Sequence, residues 1–344
     1  MIKKALLISL TIIIIICVLG GLWLYSAVNK DVEEHFAGSC TEVPLDGSAE
    51  DIQIDRARGL AYLSLFDRMA TAKGDKAGPG TIARLDLNMN PPQVASALTN
   101  GPDLHPHGLS LFIDATGQRH LFVINHPEDR STGEEAIEHY VEFTPGVYGH
   151  KETFRSPLIT RANDMVAVGP QQFYVVQDVD RTSGETLTEL IYFDGENYSV
   201  VADDIQSGGG INVSADNNTL YIAETGGKSV RVASRNPADG SIETIRSISL
   251  GSSPDNIDVA EDGSIWVGGH SNVVALAMHF IVGSDAPSQI LRVDVTSDDP
   301  QIDEIYLNAG SQISAGSGGA TLGNRLLIGS ITSKKVLICE MEGS

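Results

Sequence analysis

The sequence predicts an all-β fold, a six-bladed β-propeller behind an N-terminal membrane-spanning helix. Three observations carry this: a pattern repeated six times after residue 30, no long amphipathic helical pattern in that region, and an uncharged apolar run before it. The repeat is about 46–63 residues long, the scale on which periodicity marks stacked supersecondary units. Each copy opens with two polar or small residues and an alternating apolar stretch, turns at Gly, Asp or Asn, and returns as a second apolar run. The openings are Glu50-Asp51-Ile52, His107-Gly108-Leu109, Asn163-Asp164-Met165, Gly209-Gly210-Ile211, Asp255-Asn256-Ile257 and Gly318-Gly319-Ala320. Two apolar runs joined by a tight turn form an antiparallel hairpin, and the sequence between copies has room for two outer strands, giving a four-stranded blade. A single blade cannot bury both of its faces, so six must stack around an axis.

Residues 5–28 carry no charge and include five consecutive isoleucines, enough to cross a hydrocarbon core of about 30 Å. Lys3 and Lys4 precede the run, which leaves the N-terminus in the cytoplasm and exports the chain beyond Lys30. The expected organisation is an anchor over 1–30 and a propeller over 31–344, periplasmic or extracellular. A cleaved signal peptide is the alternative and would yield a secreted protein. Its apolar core would be shorter, about 7–15 residues, and Tyr25-Ser26-Ala27 is a poor cleavage site. Cys17 follows Ile16, which does not fit a lipoprotein cleavage box.

Twenty-three basic residues stand against 45 acidic ones, a formal charge of −22 that repels nucleic acid. An acidic surface also serves solubility, and carboxylates aimed inward at one point would hold hard divalent cations. Cys40 and Cys339 flank the exported part, and in a compartment where disulfides persist they are expected to tie its ends together. Two separate buried thiols are the alternative.

In a propeller, equivalent positions of the innermost strands form a ring, and here that ring is polar: Glu50, Asp51, His107, Asn163, Asp164, Asp255 and Asn256. The returning strand ends beside the start of the first. Counting 15 residues from Asn163, Gly209 and Asp255 reaches Asp178, Glu224 and His270, and 19 residues from His107 reaches His126. His107 and His126 are therefore expected to be neighbours. Carboxylate and amide oxygens without cysteine suit Ca²⁺ better than zinc. Taken singly, Asn-Asp pairs merely begin strands after turns, and His107 reads as a turn histidine. Their recurrence at one repeat position in three blades favours a site. A histidine beside a cation that polarises a carbonyl can activate water for ester or lactone hydrolysis. No Gly-x-Ser-x-Gly elbow occurs, so a serine nucleophile has no support.

Along nearly the whole exported chain these segments resemble the paraoxonase family. The matches are Ser48-Ala49-Glu50-Asp51, Pro106-His107-Gly108-Leu109-Ser110, Val123-Ile124-Asn125-His126-Pro127, the run from Asn163-Asp164-Met165 to Gly169-Pro170, Asp255-Asn256-Ile257 and Trp266-Val267-Gly268. The resemblance implies a lactonase and arylesterase with two calcium ions and a retained N-terminal helix. It implies Glu50, Asn163, Asp255 and Asn256 as ligands of a catalytic ion, and Asp51, Asp164 and the main-chain oxygen of Leu109 around a structural one. It further implies His107 as the base, His126 as its partner, and a Cys40–Cys339 disulfide. Two departures stand out. Gly209 precedes Gly-Ile-Asn where the family supplies another asparagine ligand, so water or Glu224 would complete the shell. The aromatic-rich segment that covers the family's site is also missing. A gluconolactonase-type hydrolase and a non-catalytic exported binding propeller are the competing readings.

Overall fold

The structure is a computed structural model that describes residues 18–21, 26–28, 32–130, 134–180, 182–297 and 299–342. Among the described residues six antiparallel sheets surround an axis; in the first five the four main strands follow chain order from the inside outward, and in the sixth the three inner ones do. The innermost strands are Ser48–Asp55, Pro106–Ile113, Ala162–Gly169, Gly208–Val213, Ser253–Val259 and Gly316–Leu322. The fifth sheet gains a short extra edge strand, His35–Phe36. Tight inner turns need a residue in the left-handed region, which Gly117 (φ 84°) and Gly263 (φ 83°) supply and Asn217 (φ 62°) imitates.

Successive strand residues point to opposite faces, and both faces of each blade are covered by a neighbour. Tyr62 accordingly packs into the seam between the first two blades, whereas Ala61 and Leu63 pack into the seam between the sixth and first. The described residues form six buried apolar clusters, one per seam. The ring closes because the early strand Gly38–Pro44 becomes the outer strand of the last sheet, paired with Lys335–Met341. Cys40 lies opposite Cys339 in that pair, and the two form a disulfide spanning 299 residues. In the chain-entropy picture closing so long a loop stabilises by up to about 5 kcal/mol.

Two features differ from the sequence reading. In the sixth blade Gly316 pairs with Ser330 and Gly319 with Ile328, so the ring residues there are Ser317 and Gly318, one position earlier than the glycine pattern indicates. Small residues without alternation carry no register signal. Helices are also present after residue 30, Arg68–Ala72 and Val273–Val282. The second had legible ends: Asn272 accepts from the Ala275 N–H at 3.0 Å, and Gly283 takes the left-handed C-terminal position (φ 77°). Most of the expected spanning segment, and Cys17 with it, lies outside the described residues, of which 18–21 and 26–28 are helical. Among the described residues no helix is long and apolar enough to cross a membrane.

Candidate active site

All six inner hairpins have a register irregularity at the same place. Glu50 and Asp51 lie between the pairs Ala49–Leu65 and Ile52–Leu63, two residues against one, and the same bulge recurs at His107, Gly209, Asp255 and Ser317. In the third hairpin Asn163 alone is inserted between the pairs Ala162–Gln177 and Asp164–Val176. A bulge re-aims side chains that a regular strand would send to opposite faces. This is why consecutive polar residues can serve the axis.

The hairpin partners form a second ring. With Gly208 opposite Glu224, Pro254 opposite Gly269 and Pro106 opposite Asn125, the equivalent positions are His126, Asp178, Thr225 and His270. The fourth hairpin is one residue longer than the third and fifth, so a fixed count of 15 stops one position short, at Glu224. The Glu224 carboxylate is committed elsewhere, to Arg231 at 2.7 Å, Ser229 at 3.2 Å and the Gln206 N–H at 3.3 Å. Thr225 takes its place beside a cavity of about 450 Å³ lined also by Glu50, His107, Asn163, Asp178, Asp255 and His270. One wall is apolar: Val273, Leu276, Ala277 and Phe280 of the second helix, with Ile331. That helix covers one side of the site.

The histidines meet as expected, with ring centroids 4.9 Å apart and planes at 44°, although the backbone partner of His126 is His105. His107 Nδ1 lies 2.9 Å from the Asn163 carbonyl, which can only accept. The proton is therefore on Nδ1, and the Nε2 lone pair is left free, 3.9 Å from Glu50 Oε1. His126 donates through Nδ1 to Glu135 Oε2 at 2.5 Å, and Glu135 is held by Arg130 at 2.9 Å. Glu135 is a site residue that sequence reasoning missed, because it immediately precedes the next strand, Ala136–Thr144, and only the fold brings it beside His126. Burial lowers both histidines well below 6.5, His107 also through His126 and His126 also through Arg130, so both are neutral near pH 7.

Around them the oxygen atoms are gathered but incompletely partnered. Asn256 donates to the Glu50 main chain at 2.8 Å and to Oε1 at 3.0 Å, while His270 holds Asp255 at 3.0 Å. Glu50 Oε2, Asn163 Oδ1 and Asn256 Oδ1 are buried with no hydrogen-bond partner among the described residues. Burial pushes Glu50 up to about 8, with Asp255 and Asp51 adding to the rise against the pull of Arg68. Arg68 itself is anchored on Ser48 and the Pro106 carbonyl. Deeper, Asp51 accepts the N–H groups of Ile52 (2.6 Å) and Leu109 (2.7 Å), and Asp164 those of Met165 (2.7 Å) and Ile211 (2.8 Å). Burial pushes Asp51 to about 7 even so, and burial with Asp51 raises Asp164 well above the carboxylate range. Among the described residues no three His, Cys, Asp or Glu side chains form a metal cage by themselves. The gathered set mixes carboxylates with amides, and three orphaned buried oxygens fit a hard cation.

The fold and this axial site define a propeller hydrolase. Solved propellers share the architecture at low identity: a luciferin-regenerating enzyme (TM-score 0.56, 13% identity, covering 89% of this chain and 96% of that one) and a gluconolactonase homologue (0.52, 14%, 90% and 94%). The chain belongs to the arylesterase family, whose model matches residues 43–341. Its relatives include serum paraoxonase/arylesterase 2 of Gallus gallus, 31% identical over 318 residues, and serum paraoxonase/lactonase 3 of Mus musculus, 32% identical over 317. Each alignment covers 86% of this chain and 87% of the relative.

Proposed function

We propose that this protein is a calcium-dependent hydrolase that opens lactones and cleaves aryl esters. The observation that carries this is the joining, in one cavity, of a histidine with a free basic nitrogen to buried oxygens without partners. Glu50, Asn163, Asp255 and Asn256 would hold the catalytic ion, and Asp51, Asp164 and the Leu109 main-chain oxygen a structural one. When bound, the ion supplies Lewis-acid polarisation of the substrate carbonyl. His107 Nε2 takes the proton of the attacking water, and the Asn163 carbonyl keeps Nδ1 protonated so that the lone pair stays on the cavity side. Glu135 locks His126 with its own lone pair on Nε2, a buried acceptor beside His107. The helix wall of Val273, Leu276 and Phe280 seats the apolar part of the ester and limits water.

The propeller in this reading is exported and held at a membrane by the N-terminal segment. Supporting this, the Ala27 carbonyl accepts from Asn272 at 2.8 Å at the head of the helix that walls the site, and that helix exposes Ile281 and Val282. The deciding experiment compares phenyl acetate, aliphatic lactones and gluconolactone with and without calcium. Calcium-dependent turnover of the first two is expected. Turnover of gluconolactone alone would favour a sugar-lactone hydrolase, and no turnover of any would favour a binding propeller.

A further inference from the structure

Five of the six blades place a polar side chain at the first ring position, and the fourth places Gly209. The space beside Gly209 is filled. A Cβ there would overlap Thr225 Oγ1 and lie 3.0 Å from the Pro254 carbonyl oxygen, so no larger residue fits while Thr225 holds its position. Thr225 Oγ1 donates to that same carbonyl at 2.7 Å. Its single proton is thereby used, and its remaining lone pairs are free to accept. Thr225 also lines the cavity shared by Glu50, Asn163 and Asp255. From this geometry we infer that the Thr225 hydroxyl oxygen is the fourth blade's ligand to the axial calcium ion, standing where Gly209 offers nothing.

The inference rests on the calcium reading of the axial site and adds to it a ligand from the second ring. It assigns a reason to two residues at once: glycine clears the space, and the bulged fourth hairpin delivers an oxygen into it from the opposite strand. Glu224 has no part in it, because Arg231 and Ser229 hold that carboxylate.

The test is calorimetric titration of calcium into chelator-treated protein, with melting temperatures measured in calcium and in chelator. Thr225→Val keeps the shape and removes the oxygen. It is expected to weaken calcium binding at least tenfold, the smaller effect seen when a supporting partner of a metal ligand is lost. Thr225→Ser, which keeps the oxygen, is expected to bind as the wild type does, and Thr225→Ala carries the expectation of Thr225→Val should valine not be accommodated. An unchanged affinity in the folded Val or Ala variant would overturn the inference while leaving the calcium reading intact. So would a melting temperature lowered equally with and without calcium, the mark of a hydroxyl that only ties the fourth blade to the fifth. A wild-type protein that binds no calcium would overturn the calcium reading, and this inference with it.

Discussion

The two ends of the axis are built from the same strands and treat buried charge in opposite ways. Strand Ser48–Asp55 carries Glu50 and Asp51 at one end and Asp55 at the other, and strand Ser253–Val259 carries Asp255 and Asp258 in the same manner. At the far end every one of these carboxylates meets a guanidinium. Asp55 receives Arg119 at 2.8 Å with Arg58 at 3.8 Å, and Arg56 donates to both oxygens of Asp258 at 2.6 Å. At the near end Glu50 keeps one oxygen without a partner among the described residues, beside amide oxygens in the same condition. Buried charge that is paired within the chain holds the fold together, whereas buried charge left open is a place for something to bind.

Removing the ion should break this contrast most severely. Chelation is expected to abolish esterase and lactonase activity and to lower the melting temperature, because the near-end carboxylates then lose their counter-charge while the far-end pairs do not. Full activity in protein shown to be metal-free would end the calcium reading. Next in size is His107→Gln, which removes the base and should reduce turnover of phenyl acetate and lactones by roughly 10²–10⁴-fold. Its melting temperature should stay that of the wild type, and an undiminished rate would take His107 out of the mechanism.

The far end predicts the converse. Arg119→Met strands Asp55, which is 1% exposed, with only the more distant Arg58 beside it. The expected cost is about 3 kcal/mol, the low end for breaking a buried pair, with turnover per folded molecule and calcium affinity unchanged. A variant of normal stability that has lost activity would erase the division between the two ends.

Much of this contrast was legible in the sequence because a propeller repeats its geometry. The openings Glu50-Asp51, His107-Gly108, Asn163-Asp164 and Asp255-Asn256 recur at one repeat position, and a repeat position in a closed ring is also a position in space. What escaped depended on register and on neighbouring strands. The run Gly316–Ala320 lacks the alternation that would place it, and one extra turn residue in the fourth blade moved the ring from Glu224 to Thr225. Glu135 enters through pairing of a third strand, and its nine-residue distance from His126 gives no cue. Arg119 and Asp55 lie 64 residues apart, and nothing in either segment announces the pairing.

The smallest predicted effect concerns buried titratable groups away from the axis altogether. His139 is fully buried in the second blade, stacked on Phe122 with centroids 4.3 Å apart and planes at 7°. Its Nε2 faces His120 Nδ1 at 3.0 Å, and its Nδ1 faces Glu152 at 3.1 Å. Burial pushes it down to about 4, against the pull of Glu152 and with a smaller push from Lys151. In the unfolded chain it titrates near 6.5, so between about 4 and 6.5 the unfolded state holds more protons. The stability associated with a neutral His139 is thus complete above 6.5 and is lost as pH falls towards 4. From pH 7 to pH 5 the loss is on the order of 2 kcal/mol. His139→Phe fits the same stack and carries no proton, so it should flatten the fall in melting temperature over that interval without moving calcium affinity. Melting curves from pH 7.5 to 5 in saturating calcium measure both slopes. Equal slopes in variant and wild type would mean that the acid sensitivity arises elsewhere. The near-end carboxylates would then be the first place to look, because any loss of their ion on acidification would also appear as a calcium-dependent slope.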